Sequence, residues 1–188
     1  MSGTITVQNI QGPTTGSDAN KVIVPSGHTL DTSAGTLVPS ANQVVQHLTS
    51  KPTSLTAFSS TSYTDANGFS ITITPKYSNS KILIRAFSKT IQNNNGSGNS
   101  AHDHRITRNG SQIYYAQWQS YFNQNFATTD FYPPFLLSYI DSPNTTSSTV
   151  YKIQGRVYGG GASNRPWTIG DYNGGNYDSV MELVEIKQ

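Results

Sequence analysis

Two histidines separated by one residue, His102 and His104, are the sharpest candidate for chemistry in this sequence of 188 residues. In a β-strand, residues two apart project from the same face, so both imidazole rings can approach one metal ion. The same spacing also fits two solvated or interface histidines beside a polar stretch. The residues therefore leave two interpretations open: a metal-binding pair, and ordinary surface or interface histidines.

A second candidate is a stretch in which aromatic rings alternate with short polar side chains, residues 167–177. Flat ring faces stack on the C–H groups of sugars, while amides and carboxylates bind the hydroxyl groups. The alternative for any single ring is a place in the core or in a subunit interface, where most large rings lie. The candidate glycan- or receptor-binding residues are Trp167, Asp171, Tyr172 and Asn173.

Catalytic chemistry finds little support in the residue pattern. The 10 carboxylates are dispersed, and we interpret Glu182 and Glu185 as surface or interface groups of a closing strand. No nucleophile elbow is present, and Gly159–Gly161 does not lead into a helical pattern that would favour a phosphate loop. With 0 cysteines, thiol catalysis, disulfides and Cys-ligated zinc are excluded. We therefore predict no catalytic residues, no enzyme activity and no resident cofactor.

The composition indicates strands and turns. Hydrophobic residues make up 34% of the chain and charged residues only 12%, so neutral polar side chains must cover most of the surface. Ser, Thr and Asn compete with helices for backbone hydrogen bonds, which favours strands. The 12 cationic residues are scattered and the formal charge is +2, which disfavours nucleic acid as a partner. No apolar run is long enough to span a bilayer, so membrane insertion is not expected.

A central pair of strands is predicted from residues 67–75 and 81–87. Every second residue from Phe69 to Ile73 is apolar, which is the period of a half-buried strand. The second stretch is apolar at nearly every position, as in a central strand. Because residues 76–80 are a polar turn, we expect the two strands to form an antiparallel pair.

A hairpin and several later strands extend this pattern. Asn109-Gly110 is the strongest hairpin signal in the chain, and a two-residue turn there would set Ile106 opposite Ile113 and His104 opposite Tyr115. Further strands follow, and the segments between them are predicted to be loops. The predicted strands after the hairpin cover residues 135–140, 149–157 and 180–186. We predict an all-β fold, a jelly-roll β-sandwich of about eight strands in residues 54–188.

The first 50 residues differ from the rest. Short apolar runs such as Val22–Val24 are separated by turn residues and cannot bury enough surface to offset their ordering entropy. We therefore predict an extended, β-rich N-terminal docking segment, residues 1–50, that folds only against another chain or another copy. One short helix is expected over Asn42–Leu48, with Ser40 as its N-cap. The alternative for this segment is a flexible arm.

Several stretches resemble modules of marine bacteriophage structural proteins, of the cyanophage and pelagiphage kind. The specific parts are "GFSITITPKYSNSKILI", "RITRNGSQI" and the closing "SVMELVEIKQ". In the N-terminal segment, "VIVPSGHTLDTSAGTLVPS" is similar to the adaptor segments that precede fibre tips. The resemblance implies a homotrimer with a jelly roll of the tumour-necrosis-factor and complement-C1q kind. It also implies that His102 and His104 of three copies could hold one metal ion at the trimer axis.

The function that the resemblance implies is a virion structural protein, assembled in the host cytoplasm. Its expected role is a homotrimeric tail fibre or tip that binds the host surface, with a cell-surface glycan as the candidate receptor. Residues 1–50 would then bind other virion proteins. A capsid decoration or fibre protein that binds neighbouring virion proteins is the alternative. A polysaccharide depolymerase is a further alternative, and it would require a carboxylate pair facing a groove.

Overall fold

The structure, a computed structural model, describes residues 13–17, 22–28, 39–92, 99–123, 134–158, 167–170 and 179–188. The chain forms two compact units, Met1–Val38 and Pro39–Gln188. In the first unit a turn closes where the His28 amide donates to the Pro25 carbonyl (3.1 Å). Helices are absent from the described residues, so none of these residues forms a membrane-spanning helix.

The described residues of the second unit form ten strands. They are β1 Val44–Ser50, β2 Leu55–Phe58, β3 Thr64–Ile73, β4 Lys81–Gln92, β5 Asn99–Arg108, β6 Ser111–Asn123, β7 Pro134–Asp141, β8 Thr149–Val157, β9 Trp167–Gly170 and β10 Val180–Ile186. One sheet has the order β1-β10-β4-β9-β2, with β7 also paired to β4, and the other has the order β3-β8-β5-β6. All strand pairs described are antiparallel. The predicted all-β, jelly-roll-like sandwich is confirmed.

The core lies between the two sheets and takes alternate residues from each strand. In β8 the buried residues are every second one from Thr149 to Val157, as the period of a strand dictates. The largest fully buried side chains are Trp167, Tyr151, Phe58, Phe69, Phe135, Ile73, Ile82, Ile84, Ile106, Leu137, Ile153 and Ile169. Apolar burial of this extent supplies the main stabilisation of the fold.

The predicted helix over Asn42–Leu48 is wrong. These residues enter strand β1, which pairs with β10 so that Leu48 lies opposite Leu183. Ser40 is therefore not a helix N-cap; its backbone amide donates to the Gln43 side chain (2.9 Å). Pairing with a neighbouring strand overrides the helical spacing of the apolar residues. Strand β1 thus belongs to the sheet, although the sequence places it within the N-terminal segment.

The predicted antiparallel pair of residues 67–75 with 81–87 is also wrong. Strand β3 lies in one sheet and β4 in the other, so the polar turn between them is a corner that crosses the core. Glu185, buried on β10, holds this corner. Its Oε1 atom accepts hydrogen bonds from the Lys76 amide (2.8 Å), the Tyr77 amide (3.3 Å) and the Ser80 hydroxyl (2.6 Å). Glu185 is therefore a buried structural carboxylate, not the surface or interface group that the sequence predicted.

The hairpin at Asn109-Gly110 is confirmed, with a different register. Both turn residues have positive φ, 49° and 84°, as a two-residue hairpin turn requires. A bulge between Ile106 and Thr107 shifts the pairing by one residue, so Ile106 lies opposite Tyr114 and not Ile113. His104 likewise lies opposite Ala116 instead of Tyr115. Local turn chemistry therefore predicts the hairpin, whereas the bulge changes the register of the residues beyond it.

Two segments depart from the predicted strand bounds. Residues 65–68 lie within β3, where the register breaks between Asp65 and Ser70. Gly68 permits this irregularity because its φ is 76° and a Cβ atom there would overlap the Cα atom of Pro52. The predicted loop over residues 159–177 contains the short strand β9. Strands β1 and β9 raise the strand count from about eight to ten.

Candidate functional site

Trp167 lies in the core, so the prediction of an exposed glycan-binding ring is corrected. The side chain is 0% exposed and stacks on Phe58 at a centroid distance of 4.3 Å. Its indole N–H donates to the Arg156 carbonyl (3.3 Å). Across the core, Gly155 leaves room for the ring, because a Cβ atom there would lie 2.7 Å from Trp167. The polar neighbours of Trp167 in sequence misled the prediction, because pairing of β9 with β2 and β4 turns the ring inward.

His102 and His104 are brought together on β5, as their spacing predicted, but they face the core. They are 0% and 1% exposed. The ring of His102 stacks on Trp167 (4.7 Å), and the ring of His104 meets the same indole edge-on (4.3 Å). Within the described residues no group of three potential metal-ligating side chains occurs. Because both rings are buried inside one copy, the predicted metal site at a trimer axis is corrected: three copies cannot bring these rings together at their shared surface.

Burial lowers the pKa of His102 to about 3, because a charged imidazole would lose its hydration in the core. Between this pKa and the ordinary value of about 6.5, the unfolded chain binds a proton that the folded chain does not. The free energy of unfolding should therefore fall as the pH decreases through this window. The expected slope is up to about 1.4 kcal/mol per pH unit.

This pH dependence is measurable by denaturant unfolding at pH 6.5 and 4.5, at constant ionic strength. The wild-type chain should lose about 2–3 kcal/mol more stability over this interval than His102→Phe, whose ring can still stack on Trp167 but takes up no proton. The comparison with His102→Phe isolates the His102 contribution, because the carboxylates and the other histidines titrate in both proteins. Equal losses in the two proteins would contradict the assignment.

The other three members of the predicted binding set, Asp171, Tyr172 and Asn173, lie outside the described residues. The flanking residues are described: the Ser179 hydroxyl donates to the Gly170 carbonyl (3.0 Å), which holds the two ends of segment 171–178 together. The Gly170 amide in turn donates to the Ser88 hydroxyl on β4 (3.1 Å). Gly170 and Ser179 are therefore held to each other and to Ser88 of β4.

The outer surface of the first sheet carries two neighbouring apolar rows, separated by a polar row, that the sequence did not single out. Its most exposed members are Leu136, Ile140 and Phe87, at 60%, 54% and 44% exposure. We define the apolar outer face as Val44, Leu83, Phe87, Leu136, Ile140, Val180, Val184 and Ile186. A single exposed apolar side chain is ordinary, whereas a contiguous group marks a contact surface.

Strand register orders the apolar outer face into rows. One row places Val184, Leu83 and Ile140 side by side across β10, β4 and β7. A second apolar row consists of Val180, Phe87 and Leu136. Between them lies a polar row made of Glu182, Arg85 and Ser138. In the sequence, this face is indicated by apolar residues on both sides of β4 and β10. Such a composition is typical of strands that are buried on both faces of the sheet.

The polar row at the centre of the face is internally paired. The Arg85 guanidinium lies 3.5 Å from Glu182 Oε1, and His47 Nε2 lies 2.9 Å from Glu182 Oε2. The charge of the one carboxylate in the three rows is therefore offset by neighbouring side chains of the same face. A partner that covered this face would not have to supply a counter-charge.

The outward side chains of β3, β5 and β8 in the second sheet are mainly polar, and they contact one another. Arg156 contacts the buried Asp103 at 2.7 Å, and Arg105 Nε donates to Gln154 at 2.6 Å. The ring of Tyr63 lies over both guanidinium groups, at 4.0 and 4.6 Å from its centroid. Burial raises the pKa of Tyr63 to about 12. The two outer surfaces of the sandwich thus differ sharply in chemistry.

The carboxylates in the described part of the chain all have partners. Asp141 accepts from Arg108 (2.9 Å) and from the Tyr151 hydroxyl (2.6 Å), and the Tyr151 pKa is raised by burial and by this carboxylate. Asp65 accepts from Lys152 at 2.6 Å. The remaining three are Asp103, Glu182 and Glu185, described above. None of these five side chains stands opposite a second carboxylate in a contact that the structure records.

The sandwich has two different ends. Strand β1 begins beside the end of β10 and the start of β4, where Ile186 lies opposite both Val44 and Lys81. The β3–β4 corner and the Asn109-Gly110 turn lie at this same end. The strand termini at the opposite end include Gln92, Asn99, Asn123, Pro134, Val157 and Trp167. The segments that connect those termini, residues 93–98, 124–133 and 159–166, lie outside the described residues.

No protein-family profile and no curated protein matches the chain. Among solved structures, the VP2 subviral particle of infectious bursal disease virus is 17% identical, with a TM-score of 0.42, over 93% of this chain and 41% of that one. The insecticidal delta-endotoxin Cry8Ea1 from Bacillus thuringiensis is 13% identical, with a TM-score of 0.37, over 71% of this chain and 20% of the toxin. Dimeric latent PorU from Porphyromonas gingivalis is 10% identical, with a TM-score of 0.41, over 79% of this chain and 14% of PorU. The chain spans less than half of each, and likenesses this distant carry no argument about function.

Proposed function

We propose that the chain is a phage virion structural protein: a homotrimeric tail fibre or tip that acts by binding the host surface, not by catalysis. The sequence segments that resemble marine phage modules support this proposal. They fall on the β3–β4 corner, on the β5–β6 hairpin and on β10, which together make up much of the sandwich. The proposal places the protein in the virion after assembly in the host cytoplasm.

The observation that carries the proposal is the difference between the two ends of the sandwich. The chain enters through β1 at one end, next to the start of β4. Most of the longer connections leave from strand termini at the other end. A fibre tip needs this arrangement, because the N-terminal residues bind other virion proteins while connections fixed by a rigid scaffold contact the host. Segment 171–178, with Asp171, Tyr172 and Asn173, remains our candidate for glycan contact.

The proposal is tested with the labelled full-length chain and intact cells of a susceptible bacterial host. We expect the chain to bind the cells and to compete with phage adsorption. Tyr172→Ala should weaken this binding about tenfold, since loss of one stacked ring costs roughly 1–1.5 kcal/mol. The matched control is Tyr77→Ala at the opposite end of the sandwich, which should bind like the wild type.

Two other results would each contradict the proposal. Binding to capsids without binding to cells would favour a decoration protein. Release of reducing sugar from host polysaccharide would favour a depolymerase and would disprove the non-catalytic role. Cell binding that Tyr172→Ala leaves unchanged would remove segment 171–178 from the receptor site while keeping the fibre assignment.

A further inference from the structure

We propose that the apolar outer face is the surface on which a second copy of this chain docks. The inference deepens the proposed function by naming the contact surface, and it depends on the proposed homotrimer only for the number of copies. It begins from exposure: Phe87, Leu136 and Ile140 lie on adjacent strands, and each is more than two-fifths exposed. Exposed apolar side chains in register on one sheet are costly in water.

The strands beneath this face have the composition of strands covered on both sides. In β10, Met181 and Leu183 are buried in the core, while Val180, Val184 and Ile186 project outward. A sheet with one face in water instead alternates apolar and polar residues. The polar outer surface of the second sheet has that alternation, as β3 shows with its exposed Ser70 and Thr72. The first sheet therefore has the pattern of a surface that another layer covers.

The size of the face suits a specific contact. Four strands about 4.8 Å apart, each with about seven residues at about 3.3 Å, span roughly 450 Å². In a homotrimer the face of each copy meets the faces of both neighbours around the threefold axis, so three faces bury roughly 1,350 Å² of flat area in all, and more over the side chains that stand on it. This reaches the range of about 1,000 Å² that a specific interface requires.

The distribution of charge favours a second copy over a strongly charged partner. The carboxylate of Glu182 is already paired with Arg85 and His47 within the face. Lys81 and Lys89 lie at the two ends of this stretch of β4, next to Ile186 and Pro134 respectively. Two apolar rows that flank an internally paired polar row, with cations at the ends of the face, are self-compatible, since copies meet without an unpaired carboxylate at the centre.

The test uses the full-length chain with Phe87→Glu and Ile140→Glu together. Both side chains are exposed, so the changes should leave the sandwich folded, as judged by circular dichroism and thermal melting. We expect self-association to weaken by about 30-fold or more for each site, measured by sedimentation over a concentration series. The matched control, Ser70→Glu with Thr72→Glu on the outer surface of the second sheet, should associate like the wild type.

A single introduced cysteine locates the contact independently, because the chain has 0 cysteines of its own. The thiol of Ser138→Cys, in the polar row, should react slowly with a bulky maleimide in the assembled protein. The same thiol should react fast when Phe87→Glu and Ile140→Glu are also present. The thiol of Thr72→Cys should react fast in both backgrounds.

Oligomers that survive Phe87→Glu with Ile140→Glu would overturn the inference while leaving the proposed homotrimer intact, because the copies would then associate through another surface. A wild-type monomer, together with a fast-reacting thiol in Ser138→Cys, would overturn the inference and the homotrimer together. A monomer in which the Ser138→Cys thiol is protected would assign the cover to the chain's own N-terminal residues and would also overturn the inference. If the wild-type chain associates as expected but does not bind cells, the proposed function is contradicted while the docking surface stands.

Discussion

Trp167→Ala is expected to destabilise the folded chain by about 3–5 kcal/mol, because it removes the largest fully buried side chain among the described residues and leaves a cavity. The indole joins the two sheets: it belongs to the first sheet through β9 and stacks on His102 of β5 in the second. Its neighbours Phe58 and His104 lose ring contacts at the same time. The gap cannot close without moving both sheets.

Equilibrium denaturation of Trp167→Ala and Trp167→Phe measures this effect. The phenylalanine variant keeps a ring in the cavity and should lose clearly less stability than the alanine variant. Cell binding per folded molecule should stay unchanged in both, since the ring is buried. Wild-type stability of Trp167→Ala with reduced binding would contradict the core assignment and restore the ring to a binding surface.

Glu185→Ala is expected to cost about 3 kcal/mol or more and to loosen the β3–β4 corner. The carboxylate accepts from two backbone amides, one hydroxyl and the Gln46 amide, whose Nε2 lies 2.5 Å from Oε2. Removing it leaves several donors without an acceptor, at about 1–3 kcal/mol for each that is buried. Glu185→Gln should cost less, since one amide oxygen can still accept at the corner.

Hydrogen exchange at the Lys76 and Tyr77 amides reports the corner directly, and denaturation reports the global effect. Exchange at both amides should accelerate in Glu185→Ala. The control is Asp65→Ala, which removes an exposed ion pair with Lys152 and should change stability by no more than about 1 kcal/mol. If Glu185→Ala and Asp65→Ala behave alike, the corner is held by other contacts.

Sequence reasoning predicts what local chemistry determines in this chain. The Asn109-Gly110 turn needs two residues with positive φ, and few other dipeptides supply them, so the hairpin is visible without a structure. Strand β8 is equally visible, because from Tyr151 to Val157 its polar side chains alternate with residues that are buried in the core. The all-β class follows from the same local signals.

Features set by distant residues could not be predicted. A short polar turn looks the same whether it joins two paired strands or crosses between sheets, and here the difference is made by Glu185, more than a hundred residues along the chain. Strand β1 carries apolar spacing that also suits a helix, and only its pairing with β10 decides. Trp167 has polar neighbours in sequence, yet the pairing of β9 turns it into the core.

In the candidate site, too, local features could be predicted from the sequence and features set by distant residues could not. The pairing of His102 with His104 on one side of β5 was predictable from the strand period, but the side that faces the core was not. Both are inward because Ile106, two residues further, is also fully buried, and a strand cannot turn one residue outward without a bulge. The apolar outer face required the register of four strands, which no single segment of sequence contains.

The mass of the full-length chain in solution tests the account most directly. Light scattering at micromolar concentration should give three times the chain mass of 20.4 kDa, with conversion to one chain mass in Phe87→Glu, Ile140→Glu. A wild-type protein that is folded and stays at one chain mass across this range would contradict the account.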